Sequence, residues 1–355
     1  MKQKQDNSLL SGDLALISKY RNALMGIAAV IICYFHEHLP VMPEGTMVSD
    51  IEEFVQRRSF YGVDIFLLLS GMSIAFSLIK DSNVPRFYGR RAVRILPVYL
   101  LSGIIMIFTE HWTVTDYLLN ISGVRFFTTD VNSYLWFVIT IIIFYLAAPW
   151  YQKIVTKTGR PVLTFTAAFV IWYVLSVLSR EFVRADIVSY MINRIPIFLL
   201  GMLIGTLIRQ GVKVPYRSVF WTVVISLFVI GWFMSYSNNY YGYMYVFGVA
   251  LEFVPTFALG LSTAYICAGI LEFLKWKWLV KVLEFFGSFC FELYIAERLF
   301  DRQLIMSITK LGFTGIVRNI LMFVSLSIIA FIMSRAVDLV VKSVKKLLQK
   351  KDLQT

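Results

Sequence analysis

The sequence predicts an all-α, polytopic membrane protein with about ten transmembrane helices and both termini in the cytoplasm. Hydrophobic residues make up 58% of the 355 positions and charged residues only 16%, and the mean hydropathy is +0.70. A soluble domain could not cover its surface with so few polar side chains. Short connections without a linker or repeat predict one membrane domain, 23–341, between a cytoplasmic N-tail, 1–22, and a basic cytoplasmic C-tail, 342–355.

Ten apolar segments approach or exceed the roughly 20 residues that a helix needs to cross a bilayer. They lie at residues 23–39, 61–79, 95–111, 134–152, 161–179, 195–208, 218–236, 243–271, 282–299 and 315–341. With the N-terminus in the cytoplasm, 24 of the 34 lysines and arginines fall in cytoplasmic segments, so the positive-inside rule predicts both termini inside. The first 22 residues lack the features of a removable signal peptide, so we expect the first segment to remain as a helix.

The charged and sulfur-bearing residues exclude several other classes of protein. The net charge of +12 is spread between apolar segments and forms no patch, which favours membrane topology over nucleic-acid binding. The three cysteines are odd in number and lie in apolar segments, which argues against a disulfide framework. His36 and His38 are two residues apart and point to different helix faces, which argues against a metal site.

Several polar side chains are expected together in a pocket just below the outer surface. His36 lies about one turn before the outer end of the first helix and Asp64 about one turn into the second, so the hairpin places both at one depth. The later helices add four residues near this level: Trp136, Arg194, Tyr294 and Glu297. An ionisable group inside a membrane is costly and marks a functional-site hypothesis. A residue so near a helix end can also snorkel to the interface, and this alternative remains open.

A cluster of arginines precedes the third predicted helix. Its members are Arg86, Arg90, Arg91 and Arg94. One interpretation is a positive-inside anchor. The other starts from the absence of lysine in the cluster and from the spacing of Arg91 and Arg94, which places both on one helix face. Guanidinium groups bind phosphate through several hydrogen bonds, so the cluster also predicts a phosphorylated cytosolic ligand.

Six stretches that extend over nearly the whole chain carry a family resemblance. They are "RNALMGIAAVIICYFHEH", "YGVDIFLLLSGMSIAF", "FYGRRAVRILPVYL", "YLWFVITIIIFYLAAPW", "RIPIFLLGMLIG" and "LEFFGSFCFELYIAERLF". In this order and spacing they resemble the acyltransferase-3 family of integral-membrane O-acyltransferases, which modify cell-surface glycans. The resemblance implies that His36 is the catalytic histidine and that Arg91 and Arg94 are the arginine pair of the cytoplasmic loop. It also implies a motif in the second helix formed by Gly62, Asp64, Ser70 and Gly71.

The sequence departs from the family pattern near both ends. Family members commonly carry Arg eleven residues before the catalytic histidine, where this chain has Met25; Arg21, one turn earlier, is a possible substitute. Many relatives carry His where this chain has Glu297 and Ser where it has Cys290. The second departure weakens the expectation that the ninth helix supplies chemistry.

The resemblance further implies a reaction. An acyl group, acetyl before succinyl or another short acyl, would pass from cytosolic acyl-coenzyme A to a hydroxyl of a cell-surface or lipid-linked glycan, without a metal. His36 would act as general base or carry the acyl group, and Asp64 or Glu37 would orient its imidazole. The residues expected to hold the coenzyme phosphates are Arg90, Arg91 and Arg94. The four pocket residues named above would face the acceptor.

The length of the first helix is compatible with this reaction. From Met25 to His36 the helix rises about 16 Å, which is on the order of an extended pantetheine arm. Membrane lipids are the remaining expected partners, and the family implies a bacterial cytoplasmic membrane. A transporter or flippase of a lipid-linked saccharide is the alternative function, because buried charges and ten helices also suit alternating access.

Overall fold

The computed structural model describes residues 13–37, 41–42, 45–128, 135–179, 186–237 and 245–352. Every regular element in these ranges is a helix, which confirms the predicted all-α class. The α-helices in these ranges are α1 (Leu16–Lys19), α2 (Arg21–Glu37), α3 (Met47–Arg58), α4 (Gly62–Lys80), α5 (Val84–Thr109), α6 (Val114–Ile121), α7 (Val124–Thr128), α8 (Trp136–Thr158), α9 (Pro161–Ser179), α10 (Asp186–Ile192), α11 (Ile195–Arg209), α12 (Arg217–Ser237), α13 (Tyr245–Leu274), α14 (Lys277–Ser288), α15 (Cys290–Lys310) and α16 (Gly315–Asp352). The 3₁₀ turns Asp13–Ala15 and Ser59–Tyr61 precede α1 and α4.

The protein has the multi-pass helical architecture that the sequence predicts. In the described ranges, eight helical stretches are long and apolar enough to cross a membrane. They are Met47–Lys80, Val84–Thr109, Trp136–Thr158, Pro161–Leu178, Val188–Arg209, Arg217–Tyr236, Phe253–Leu274 and Gly315–Lys342. A ninth results if Asp13–Lys19 and Arg21–His36, which meet at a 72° bend, form one span. The predicted count of about ten is not confirmed, and the side of the membrane that holds the termini remains a prediction.

The segment 282–299, predicted as one helix, is divided between two helices. α14 ends at Ser288, and the buried Phe289 joins it to α15. α15 continues to Lys310, because the charged residues that end the apolar segment are still good helix formers. Glu297 therefore lies on the second turn of α15, well before its C-terminal end, and not close to the last residue of a helix as the sequence had suggested.

The helix that carries the arginine cluster begins before the cluster. Asn83 caps α5, since its side chain accepts a hydrogen bond from the Arg86 amide at 2.9 Å. Pro85 lies in the first turn, where no intrahelical partner exists for the missing amide proton. The predicted segment began only at residue 95. Because the helix starts earlier, all four arginines have helical spacing and fixed faces.

Glycine residues allow two central helices, α4 and α11, to pack with their backbones in contact. A Cβ added to Gly71 would lie 2.2 Å from the Phe198 carbonyl oxygen, and one added to Gly201 would lie 2.1 Å from the Leu68 carbonyl oxygen. No other residue fits such backbone contact, which is how small residues commonly join membrane helices. Gly71, part of the motif in the second predicted helix, therefore has a packing role.

The chain is packed into the bundle from Asp13 onward. Ile17 is fully buried. The Tyr265 hydroxyl donates a hydrogen bond to the Leu14 carbonyl oxygen at 3.1 Å, and the Trp221 indole donates one to the Asp13 carboxylate at 3.2 Å. These contacts attach the start of the described chain to α12 and α13, and the cytoplasmic location of residues 1–22 stays a prediction.

Candidate active site

His36 contacts a buried carboxylate from the other end of the chain. It is the penultimate residue of α2, and its Nδ1 lies 2.9 Å from Oε2 of Glu297 in α15. The Glu297 side chain is 1% exposed and the imidazole 20% exposed. The imidazole therefore retains access to its surroundings, whereas the carboxylate does not.

Helix packing explains how α15 reaches His36. α14 lies against α2 so closely that a Cβ added to Gly287 would lie 1.9 Å from the Asn22 carbonyl oxygen. The break at Phe289 ends this contact and allows the chain to continue as α15. Glu297 follows on the second turn of α15 and meets the last turn of α2.

A second buried pair joins Asp64 and Arg194. The Arg194 Nε lies 3.8 Å from Asp64 Oδ2, and the two side chains are 7% and 0% exposed. The guanidinium also lies over the Trp136 ring, 5.1 Å from its centroid, and donates a hydrogen bond to the Tyr190 carbonyl oxygen at 3.1 Å. This pair therefore links the starts of α4, α8 and α11.

Asp64 and His36 do not share one depth, contrary to the prediction. Gly62 lies against Ile32 and the Ala28 carbonyl oxygen, so it is level with the middle of α2 rather than with its end. Counted from Ile32, Asp64 is displaced from His36 by about 9 Å along the axis. The reason is that α3 and a 3₁₀ turn separate the two helices, so they do not form a tight hairpin. In the structure, Asp64 contacts Arg194 and not the imidazole.

Aromatic rings connect the two buried pairs. The Phe137 ring lies 6.2 Å from the Trp136 ring on one side and 5.4 Å from the Tyr294 ring on the other. Tyr294 is three residues before Glu297 in α15, so it shares a face with that carboxylate. The structure thus brings together the four predicted pocket residues of α8, α11 and α15. The side chain of Glu37, and the whole of His38, lie outside the described part of the structure.

The arginines of α5 separate into two groups. Arg94 faces the bundle, with Nη2 3.4 Å from Glu292 Oε2 and a hydrogen bond of 3.3 Å to the Ser288 carbonyl oxygen. The Arg91 guanidinium lies between aromatic rings, 5.4 Å from the centroids of both Phe87 and Tyr145. These two residues are the predicted arginine pair, and both lie next to interior side chains.

Arg86 and Arg90 instead bind a carboxylate in the preceding loop. Their Nη1 atoms lie 3.3 and 3.0 Å from Asp81 Oδ2. Hydrogen bonds from Arg90 and from the Asn83 amide hold the pKa of Asp81 below its ordinary value. Arg90, one of the three residues predicted to bind the coenzyme, is therefore occupied by Asp81 in this structure.

The chain matches a known protein family over nearly its whole length. The family model described as "Acyltransferase domain", that of acyltransferase-3, matches residues 19–337. The chain belongs to the acyltransferase-3 family. No curated protein and no solved structure matches it significantly. As an acyltransferase-3 protein it is a membrane acyltransferase, and the matched range contains every residue of the two buried pairs and of the arginine cluster.

Met25 occupies the position at which the family resemblance implies an arginine. Met25 is buried among apolar side chains. Arg21, one turn earlier, interacts electrostatically with Arg91 and Tyr145. Its Nε is buried and has no hydrogen-bond partner among the described residues. The chain therefore places a third guanidinium beside the arginine pair, although from a different position in α2.

Helix α15 contacts both Arg94 of the arginine cluster and the His36 imidazole. Glu292, which contacts Arg94, and Glu297, which contacts His36, are five residues apart in α15, or about 7.5 Å along its axis. Glu292 was not among the site residues predicted from the sequence. The available signal was its position in an apolar run, where a carboxylate needs a partner.

Proposed function

We propose that this acyltransferase moves a short acyl group, acetyl first, from cytosolic acyl-coenzyme A to a hydroxyl of a cell-surface or lipid-linked glycan. The proposed setting is the cytoplasmic membrane of a bacterium. The observation that carries the proposal is the role of α15, whose two buried carboxylates contact Arg94 and His36. A single helix thereby contacts both the Arg94 guanidinium, which can bind phosphate, and the His36 imidazole, which can transfer a proton.

The proposed donor site contains three guanidinium groups. Arg21 and Arg91 interact electrostatically with each other, and two aromatic rings border the Arg91 guanidinium. Two neighbouring, partly buried cations favour the binding of an anion. The phosphates of coenzyme A supply this charge, and Arg94 extends the site toward α15.

The length of an extended coenzyme A arm is similar to the distance between Arg21 and His36 along α2. Arg21 and His36 are fifteen residues apart, which corresponds to about 22 Å along the helix. An extended pantetheine chain and its terminal phosphate are on this order of length. A coenzyme held at the arginines can thus present its thioester at the imidazole without leaving its own side of the membrane.

At the thioester, His36 serves the transfer by one of two routes. As a general base, it accepts the proton of the acceptor hydroxyl while that oxygen bonds to the thioester carbonyl carbon. The carbon–sulfur bond then breaks, and the sulfur leaves as a thiolate that takes the proton from the imidazolium. As a nucleophile, His36 would first receive the acyl group and then pass it to the hydroxyl, with the same overall balance.

The proposed acceptor surface lies beside the neighbouring rings of Trp136, Phe137 and Tyr294. Trp136 and Tyr294 can stack on or border a sugar ring, as aromatic rings do for other flat apolar faces. Arg194 holds Trp136 in place through the contact between guanidinium and ring. The Asp64 carboxylate balances the Arg194 charge, so this part of the proposed surface is neutral overall.

Replacement of His36 tests the proposed function. The His36→Ala variant should lower acyl transfer about 10²-fold or more, because it removes the group proposed to take the hydroxyl proton or the acyl group. Transfer is measured in membranes with labelled acetyl-coenzyme A, and mass spectrometry of the glycans identifies the acyl group and the modified hydroxyl. His111→Ala is the matched control, since His111 is an exposed residue in the loop after α5. Full activity in the His36 variant at equal abundance would refute the proposal.

A further inference from the structure

Three carboxylates in the described residues are almost completely inaccessible to solvent. Asp64 and Glu292 are each 0% exposed, and Glu297 is 1% exposed. Asp64 and Glu292 each lie near a guanidinium, which is always charged. Glu297 instead faces an imidazole, which unlike a guanidinium is not permanently charged. The third pair is therefore the one whose cationic partner can lose its charge during a reaction cycle.

The contact between Glu297 and His36 restricts which imidazole nitrogen can react. The 2.9 Å between Oε2 and Nδ1 is an ion-pair distance, although the two atoms are not aligned as a hydrogen bond in this structure. Neither Glu297 oxygen has a hydrogen-bond partner among the described residues, so the imidazole is the nearest group that could supply one. A buried carboxylate at this distance favours the tautomer with the proton on Nδ1, which the ring can donate after a small reorientation, as catalytic hydrogen bonds often tighten only when substrate binds. Nε2 is then the nitrogen left free to react.

We propose that Glu297 is the positioning residue of the acyl-transfer reaction, which it serves by holding Nδ1–H of His36 and stabilising the imidazolium. This inference rests on the proposed function. When Nε2 takes the hydroxyl proton, the imidazole becomes positive next to a carboxylate for which the described residues offer no other ion pair, so the charged state is favoured. The same carboxylate would stabilise a positively charged imidazole that carries an acyl group.

Asp301 adds a second carboxylate to this cluster. It follows Glu297 by one helical turn, on the same face of α15. Its Oδ1 is buried without a hydrogen-bond partner among the described residues, and it interacts electrostatically with Glu297, His36 and Arg298. Two neighbouring carboxylates repel each other, and a proton on the imidazole relieves this repulsion. Asp301 therefore reinforces the effect of Glu297 from the next turn.

A comparison of two glutamates in one helix tests the inference. In Glu297→Gln, kcat should fall about 10²-fold or more, with little change in KM for acyl-coenzyme A. In the matched variant Glu292→Gln, the main effect should be a change in that KM, because Glu292 contacts Arg94. Glu297→Asp, which keeps the charge, should recover part of kcat, and Asp301→Asn should lower kcat by a smaller factor than Glu297→Gln.

A spectroscopic measurement separates positioning from a purely structural role. The chain has only three histidines, so ¹⁵N-histidine labelling gives few signals, and His36→Ala identifies the one that belongs to His36. The intact protein should show His36 protonated at Nδ1, and Glu297→Gln should reduce this tautomer. Thermal stability and membrane abundance of each variant are measured in parallel.

Defined outcomes overturn the inference. Wild-type kcat in Glu297→Gln would overturn it, as would an unchanged His36 tautomer in that variant. Equal losses in Glu297→Gln and Glu297→Asp that follow thermal stability would also overturn it, because they would show a packing role. The proposed function fails separately, if the wild-type protein transfers no acyl group or if His36→Ala remains active.

Discussion

At the scale of single residues, charge pairing decides which arginines remain available to a ligand. Asp81 engages Arg86 and Arg90, and Glu292 contacts Arg94. Arg91 contacts aromatic rings, and Arg21 has a buried Nε without a hydrogen-bond partner in the described chain. The arginines of the cluster therefore differ in their partners, although they are close together in the sequence. Those that face the interior are the better candidates for donor binding.

This difference predicts the effect of arginine substitutions on donor affinity. Arg21→Ala and Arg91→Ala should each raise KM for acyl-coenzyme A about 10-fold or more, because a charge-assisted hydrogen bond to phosphate is lost. Arg86→Ala is the matched control, as its guanidinium is exposed and bound to Asp81. The measurement is initial rate against donor concentration in membranes. An equal rise of KM in all three variants would indicate a general effect of positive charge instead.

At the scale of the elements, small changes in helix bounds determine the site. α5 starts at Val84 because of the Asn83 cap, and α15 starts at Cys290 because of the break at Phe289. Hydropathy alone predicted a start at residue 95 and a continuous helix over 282–299. An apolar window reports where a helix meets lipid, but a cap or a break is set by local hydrogen bonds and packing.

Because α4 and α11 are in close contact, adding one methyl group at this contact should lower the stability of the protein. Gly201→Ala should destabilise the protein by about 1–3 kcal/mol, because the new Cβ would overlap the Leu68 carbonyl oxygen and force the helices apart. Gly89→Ala in α5 is the matched control, since nothing lies within 4 Å of its added Cβ. Thermal unfolding in detergent measures both. Equal melting temperatures would show that α4 and α11 do not pack as described.

At the scale of the whole molecule, the proposed reaction has a direction. The arginine cluster lies at the end of the bundle where α4 ends and α5 begins, and Arg21, at the start of α2, is on the same side. His36 lies at the other end of α2, near its C-terminus. The donor and the acceptor would therefore enter from different sides, and only the acyl group would cross. The predicted cytoplasmic position of the termini assigns the donor to their side.

Reconstitution in vesicles tests this sidedness. Vesicles carry the protein in one orientation, determined by protease access to a C-terminal tag, and the acceptor is present on both sides. Acyl-coenzyme A added on the side of the termini should support transfer, and acyl-coenzyme A confined to the other side should not. The acylated glycan is measured by mass spectrometry. Equal transfer from both sides would contradict a fixed donor site at the arginine cluster.

Sequence patterns were sufficient for the membrane class, the all-α fold and the family. The first two depend on composition and local hydropathy and the third on the order of six sequence stretches, so a linear pattern contains the information. The family match confirms the class and the family. The roles of the individual site residues remain predictions.

Only the tertiary structure decided the partners of these residues. Sequence spacing favoured Asp64 or Glu37 beside the imidazole, whereas the packing of α2 on α14 and α15 brings Glu297 to His36 and leaves Asp64 with Arg194. The physical reason is that a buried charge pairs with whichever group the helix packing places next to it. That neighbour is set by helix bends, breaks and glycine contacts between distant segments, and no local pattern in the chain records it.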